Sequence, residues 1–150
     1  MAVTETQIKA IFLEKFTHLV QWPETTDDEF IICVINDKKF AKALESIYKT
    51  KRFENKPVRV IRLNSENTIP SCHLLFLGEK TSHTKNLLSK IKNRPILTVS
   101  DEENLLHDKI MISIFLKQKK FKYIINNKAA LEADVKISYL LLQSAQKVIK

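Results

Sequence analysis

The chain has 150 residues, of which 44% are apolar and 28% charged, values typical of one globular domain. It contains a single glycine, Gly78, which excludes the glycine-rich phosphate-binding loops, since these need more than one. The formal net charge is +8, but arginine occurs only four times and the lysines are spread along the chain. We therefore expect no specific binding of nucleic acid.

Apolar residues follow two alternating patterns along the chain. Where they recur every three or four residues behind a capping side chain they predict helices, and where they run without interruption they predict buried strands. In chain order, the predicted elements are a helix over 5–20, a strand over 30–35, a helix capped by Asp37, strands over 58–63 and 73–77, a helix over 81–92, a strand over 95–100, a helix over 101–106, strands over 111–116 and 121–126, and helices over 127–133 and 138–149.

Cap and turn signals bound several of these elements. Thr4 and Gln7 fit a capping box at the start of the first helix, and Pro23 prevents that helix from continuing. The turn at 118–120 joins two strands into an antiparallel hairpin. Because buried strands alternate with helices, we predict an α/β fold, a three-layer α/β/α sandwich with a largely parallel sheet and this hairpin at its edge. No repeat or linker interrupts residues 1–150, which predicts a single domain.

Side chains that could carry chemistry do not form a catalytic pattern. Cys72 and His73 are adjacent, but neighbours in a strand point to opposite faces, so they are not expected to pair as nucleophile and base. The acidic runs at 27–29 and 101–103 fit a solvated loop and a helix start better than acid–base catalysis. We expect His18 on a solvated helix face. No metal-ligand spacing is found for three histidines: His18, His83 and His107. We therefore predict neither an enzyme nor a metal or cofactor site.

The compartment stays open when the residues alone are considered. No apolar run reaches the roughly 18 residues of a membrane span, so membrane insertion is not expected. The first residues lack the basic and apolar regions of a signal peptide. The protein is then either cytosolic or one whose signal peptide has been removed. Composition alone favours free, buried thiols at Cys33 and Cys72.

Seven segments between Ile8 and Val148 form one ordered pattern, although none is diagnostic by itself. They are Phe12-Leu13-x-x-Phe16-x-x-x-Val20-x-Trp22-Pro23, Phe30 to Ile35, Lys56-Pro57-Val58-x-Val60-x-Arg62-Leu63, Cys72-His73 to Leu77, Arg94-Pro95 to Asp101, Ile125-Asn126, and Lys136-Ile137-Ser138-x-x-Leu141-Leu142. In order and spacing this pattern resembles the YfiR-like family of small bacterial periplasmic regulators.

The resemblance implies a function that composition does not show. It implies a periplasmic signalling protein, not an enzyme, that represses a membrane-bound diguanylate cyclase by binding its periplasmic part, under redox-linked control and as a homodimer. Family members carry a signal peptide, so its absence here would reflect removal. Cys33 and Cys72 match the family's disulfide pair, whereas a second, C-terminal pair is absent.

Several family glycines are replaced in this chain. Asn36 and Asp134 stand at two such positions, and we expect both to adopt the left-handed backbone that asparagine and aspartate tolerate best. Asp108 and Lys109 replace a glycine pair before Met111, and the lysine has no such explanation.

Two kinds of site follow as hypotheses. A small-molecule sensor would use the crevice at the carboxyl ends of the strands, where α/β folds bind ligands. Its predicted lining is Asn36, Asp37, Gly78, Ser100 and Asp101. A partner surface is predicted on the last helix, at Leu140 and Leu142. We expect Trp22 to be structural, the alternative being a stacking platform, and expect Phe121 and Tyr123 to face the core.

Overall fold

A computed structural model describes residues 3–23, 27–64, 69–78, 84–91, 93–102 and 110–150. Within these ranges it contains five helices and nine strands. In chain order they are α1 (Glu5–Thr17), β1 (Val20–Gln21), β2 (Phe30–Ile35), α2 (Lys38–Tyr48), β3 (Val58–Leu63), β4 (Leu74–Leu77), α3 (Thr84–Lys90), β5 (Leu97–Ser100), β6 (Ile112–Lys117), β7 (Lys120–Asn126), α4 (Asn127–Glu132), β8 (Lys136–Ile137), α5 (Tyr139–Ser144) and β9 (Lys147–Ile149).

The main sheet has seven strands in the order β3-β2-β4-β5-β6-β7-β9. Neighbours from β3 to β6 are parallel, β7 is antiparallel to β6, and β9 is parallel to β7. One face packs against α1, α2, α4 and α5, and the other against α3. The predicted α/β sandwich with a largely parallel sheet is therefore confirmed.

Strand β2 shows how the apolar run builds both cores. Phe30 and Ile32 point into the core under α1 and α2, while Cys33 and Ile35 point into the core under α3. Because successive side chains of a strand alternate between faces, a strand buried on both sides needs an apolar residue at every position.

The first helix begins as predicted and ends earlier. Thr4 and Gln7 form the capping box, with hydrogen bonds of 3.1 and 2.9 Å. α1 ends at Thr17 instead of continuing to residue 20, because Val20 and Gln21 pair with β8 in a separate two-stranded sheet.

The carboxyl-terminal end differs from the prediction. The helix predicted over 138–149 is wrong beyond Ser144: α5 ends there, Ala145 is extended, and β9 follows. β9 pairs with the open side of β7, so the hairpin of β6 and β7 exists but does not form the edge of the sheet. Val148 and Ile149, expected on a helix face, are strand residues.

Two backbone predictions are confirmed and others fall outside the described residues. Asn36 and Asp134 have φ angles of 57° and 63°, in the left-handed region. Gly78 is required for a different reason: a Cβ there would lie 2.7 Å from the Ile35 carbonyl oxygen. Outside the described residues lie His83, His107, Asp108, Lys109 and most of the helix predicted over 101–106.

Candidate functional site

Cys33 and Cys72 lie together on the face of the sheet that α3 covers. Cys33 is in the middle of β2 and Cys72 comes just before β4; both are buried, and both are free thiols in this structure. The Cys72 thiol donates a hydrogen bond to the Cys33 sulfur, which lowers the pKa of Cys33. The same hydrogen bond, together with burial, raises the pKa of Cys72. Cys33 therefore ionises more readily than an ordinary thiol, next to a sulfur that keeps its proton.

Arg94 brings a positive charge to this pair. Its Nη2 atom donates to the Pro70 carbonyl oxygen at 2.8 Å, which holds the guanidinium beside the segment that carries Cys72. After the hydrogen bond from Cys72 and the opposing effect of burial, this charge further lowers the pKa of Cys33. Arg94 is distant in sequence from both cysteines, so only its place in a family-like segment could have indicated it.

His73 lies on the opposite face from Cys72, as predicted, although both residues precede the strand that begins at Leu74. Its Nδ1 atom accepts a hydrogen bond from the Ile31 backbone N–H at 3.0 Å, so the ring proton is on Nε2, which donates to Asp27 Oδ2 at 3.2 Å. Burial lowers the pKa of His73. Both ring nitrogens are occupied, so His73 cannot serve as a base for the thiols.

Trp22 is structural, as predicted. Its indole N–H donates to the His73 carbonyl oxygen at 2.7 Å. The ring makes edge contacts with Phe30 and Phe53, at centroid distances of 5.0 and 5.7 Å. Trp22 and His73 thus anchor the chain at the amino ends of β2 and β4.

A cavity of about 420 Å³ opens beside this anchor. Among the side chains that line it are Trp22, Asp27, Cys72, His73 and Arg94. The cavity therefore combines a wall formed by the tryptophan with one acidic and one basic group. It also brings solvent close to the less acidic of the two thiols.

The predicted crevice at the carboxyl ends of the strands is placed where the strand order reverses, between β2 and β4. Several of its polar groups already have partners within the fold. The Gly78 N–H donates to the Ile35 carbonyl oxygen at 2.9 Å, and Asp37 accepts from the Phe40 N–H at 3.0 Å as the cap of α2. The crevice edge is thus held by contacts that the fold itself needs.

On the far side of this crevice, polar groups also have partners within the fold, with one exception. The hydroxyls of Ser100 and Ser113 are 3.1 Å apart, and Asp101 Oδ2 accepts from Lys9 Nζ on α1 at 2.8 Å. The Asp101 side chain is only 7% exposed, yet its Oδ1 atom has no hydrogen-bond partner among the residues that the structure describes. The crevice stays a prediction, and Asp101 Oδ1 is the atom in it that is free to bind a donor.

The two residues of the predicted partner surface, Leu140 and Leu142, differ in their exposure to solvent. Leu140 on α5 is 66% exposed, and its neighbour Tyr139 is 73% exposed. Leu142, by contrast, is half-buried and packs against the core under α1. An exposed apolar pair at the start of a short helix is the part of the prediction that can contact a partner.

The hairpin aromatics face the core, as predicted. The ring of Phe121 lies 5.5 Å from that of Phe12, and the ring of Tyr123 lies 4.9 Å from that of Phe16. They are therefore not a stacking platform for nucleic acid.

The prediction for His18 was incomplete. Its side chain is half-exposed, but Nε2 lies 2.5 Å from Glu14 Oε2, and Glu14 is buried. Lys51, just beyond α2, approaches the other oxygen of this carboxylate at 3.3 Å. The four-residue spacing of Glu14 and His18 on a helix was the signal that could have indicated this contact.

The described residues contain neither a membrane-spanning helix nor a cluster of metal ligands. None of the helices placed there has the length and apolar character needed to cross a membrane. In the same residues, histidine, cysteine and carboxylate side chains do not gather in threes as metal ligands would.

Comparison with known protein families places the chain among periplasmic regulators. Residues 6–146 match the YfiR/HmsC-like family, from the first turn of α1 to the residue before β9. No curated protein matches the chain. The matched range includes Trp22, both cysteines, His73 and Arg94, and proteins of this family are periplasmic regulators, not enzymes. The chain belongs to the YfiR/HmsC-like family.

Proposed function

We propose that this protein is a non-enzymatic periplasmic signalling protein that binds and represses the periplasmic part of a membrane-bound diguanylate cyclase. The observation that carries the proposal is the family match over residues 6–146. The occupied nitrogens of His73 support a regulatory role over a catalytic one, because this histidine, adjacent to Cys72, is not available as a base for the thiols. The proposal includes a homodimer, which sedimentation velocity tests directly.

We propose further that Cys33 and Cys72 form a disulfide that links repression to redox state. Support comes from their contact, from the lowered pKa of Cys33, and from the cationic Arg94 beside them. The thiolate is the reacting species in disulfide formation, so a lowered pKa favours it at neutral pH. An oxidant takes up the two electrons and two protons that the thiols lose.

For the contact surface we propose the exposed start of α5, at Tyr139 and Leu140. Tyrosine is enriched among the energetically dominant residues of interfaces, and the adjacent exposed leucine adds apolar surface that a partner could cover. Leu142 serves another purpose, since it packs against the core.

The test measures cyclic di-GMP in cells. The protein, exported by a signal peptide, is coexpressed with a candidate membrane-bound diguanylate cyclase that has a periplasmic part. We expect the wild type to lower cyclic di-GMP and Leu140→Glu to lose this effect. Leu116→Glu is the matched control, because Leu116 is also exposed but lies on β6. Repression is rejected if the wild type leaves cyclic di-GMP unchanged, and the α5 surface is rejected if Leu140→Glu represses normally.

A second candidate is a small-molecule sensor that uses the carboxyl-end crevice. The specific observation in its favour is the buried Asp101 Oδ1 atom, for which the described part of the chain supplies no hydrogen-bond partner. A ligand with an N–H or O–H donor would satisfy this atom. Thermal shift against a library of periplasmic metabolites tests it, because a bound ligand raises the unfolding temperature. A hit that Asp101→Ala does not abolish would exclude this site.

A further inference from the structure

The groove between α1 and α2 has features that neither the family match nor the proposed function explains. Its volume is about 640 Å³. Apolar side chains form part of its lining, and two of them are solvent-exposed: Val3 is 58% and Ile11 41% exposed. Ala43 and Ile47 line it from α2 and are only partly buried. Exposed apolar surface in a concave site indicates a bound partner or ligand.

The groove has a charged end and an apolar end. The two helices run in the same direction, because Thr4 and Gln7 share the groove with Lys39, while Glu14 reaches Lys51 beyond the other end of α2. Lys39 and Lys42 therefore lie near the end where both helices begin, and Ile11 and Ile47 lie farther along. Lys39 and Ile47 are eight residues apart, which is about 12 Å along a helix at roughly 1.5 Å per residue.

The two lysines have no internal counter-charge. Neither Lys39 nor Lys42 forms an ion pair within the described residues, and none of the described residues that line the groove is acidic. Two acidic side chains are found at the starts of these helices, Asp37 as the cap of α2 and Glu5 in the first turn of α1, and neither lines the groove. An anion at this end would complement charges that the fold itself leaves unpaired.

From this polarity we propose that the α1–α2 groove binds a free single-chain anionic amphiphile, a medium-chain fatty acid. Its carboxylate would pair with Lys39 and Lys42, and its alkyl chain would lie over Ile11, Ala43 and Ile47. The separation of about 12 Å along α2 from Lys39 to Ile47 leaves room for an extended alkyl chain of medium length, and the two lysine charges complement a carboxylate. Binding is non-covalent, and no step of chemistry is involved.

The test uses decanoate and decan-1-ol with the full chain. Isothermal titration calorimetry measures both affinities at equal, monomeric concentrations, and NMR shifts of the Ile11 and Ile47 backbone amides locate the site. We expect decanoate to bind at least tenfold more tightly than decan-1-ol, because only decanoate can form ion pairs with the lysines.

Three variants test separately whether binding depends on the lysine charges and on the open space of the groove. We expect the double variant Lys39→Glu with Lys42→Glu to weaken decanoate binding at least tenfold. Lys38→Glu is the matched control, since Lys38 is exposed in the same helical turn but does not line the groove. Ser46→Trp, at an exposed lining position, should fill the groove and weaken both ligands. Thermal unfolding confirms that each variant is folded.

Several results would overturn the proposal. Equal affinities for decanoate and decan-1-ol would show that the two lysines do not contribute to binding. Equal losses of decanoate affinity in Lys38→Glu and in the double variant would show the same. NMR shifts confined to another surface would place the ligand elsewhere. An acidic amphipathic peptide that shifts Ile11 and Ile47 while decanoate does not would assign the groove to a partner helix instead.

Discussion

The indole N–H of Trp22 donates a hydrogen bond of 2.7 Å to the carbonyl oxygen of His73, 51 residues away in the chain. The same carbonyl oxygen accepts the N–H of Leu97, just as β5 begins, at 2.9 Å. One acceptor thus joins the segment after α1 to the start of two central strands. The family-like Trp-Pro and Cys-His segments meet through this contact.

Trp22→Phe should destabilise the fold moderately. The substitution removes the indole hydrogen bond but keeps an aromatic ring against Phe30 and Phe53. Because the His73 oxygen keeps Leu97 as a donor, we expect a loss of about 1 kcal/mol in the free energy of unfolding. Urea unfolding measures it. A loss below the error of the measurement would show that this hydrogen bond contributes nothing.

Mild oxidation should join Cys33 and Cys72 within one chain. The loop from Cys33 to Cys72 contains about 40 residues, for which the chain-entropy model gives a stabilisation of roughly 3.9 kcal/mol. Thiol titration of the unfolded protein before and after oxidation counts the free sulfurs, and urea unfolding of both forms measures the stabilisation. Two titratable thiols after oxidation, or a covalent dimer only, would contradict the disulfide.

Arg94→Leu provides a control on the reactivity of this pair. Removing the guanidinium removes a charge that lowers the pKa of Cys33, so the thiolate fraction falls. We expect slower oxidation at pH 7 and a smaller difference from the wild type at alkaline pH, where both proteins ionise. Arg62→Leu, on the exposed edge strand, changes the same charge without approaching the thiols.

Stability should fall as the pH is lowered below about 6.5, partly because of His73. Burial lowers the pKa of His73 below the ordinary histidine value of about 6.5, so the folded state favours the neutral ring. Protons then bind more tightly to His73 in the unfolded chain. The contribution of the neutral ring to the free energy of unfolding is complete above the pKa that His73 has in the unfolded chain. It is lost as the pH falls through the pKa that His73 has in the folded protein. A protonated Nδ1 could not accept the Ile31 N–H.

Urea midpoints of the wild type and of His73→Gln at pH 7.5 and 5.5 check this dependence. We expect the midpoint of the variant to change less between the two pH values. The urea midpoint of Asp27→Asn should change more between the two pH values than that of the wild type. The reason is that the Asp27 carboxylate favours the charged ring of His73, and the variant removes this effect. Identical pH profiles for the wild type and His73→Gln would contradict the assignment.

Gly78→Ala should be costly although the residue change is small. The new Cβ would lie 2.7 Å from the Ile35 carbonyl oxygen and 2.8 Å from that of Asn36, and backbone atoms at the end of β2 cannot move aside easily. We expect a loss of about 1–3 kcal/mol in the free energy of unfolding, the usual cost of overpacking. Ser46→Ala, at an exposed position on α2, is a control for handling. A Gly78→Ala protein as stable as the wild type would show that the strand ends can separate.

The sequence by itself determined the elements whose signals are local. The capping box of Thr4 and Gln7 needs only four residues, and the apolar run of β2 satisfies both faces of a central strand without knowledge of its neighbours. Asn36 and Asp134 could be predicted in left-handed conformations because that preference belongs to the residue type. The sequence also predicts that Cys72 and His73 lie on opposite faces of the sheet. It does not predict that both residues precede β4 instead of belonging to the strand.

Only the tertiary structure decided which distant segments meet. Residues 147–149 continue an apolar spacing that fits a helix, yet they form β9, because β7 offers an open row of backbone hydrogen-bonding groups. β1 and β8 are two residues each, too short for any periodic pattern, and exist only as each other's partners. Arg94 comes near the thiols, and Lys9 reaches Asp101, across 92 residues. Such contacts follow from the packing of helices on the sheet, which no local pattern in the sequence encodes.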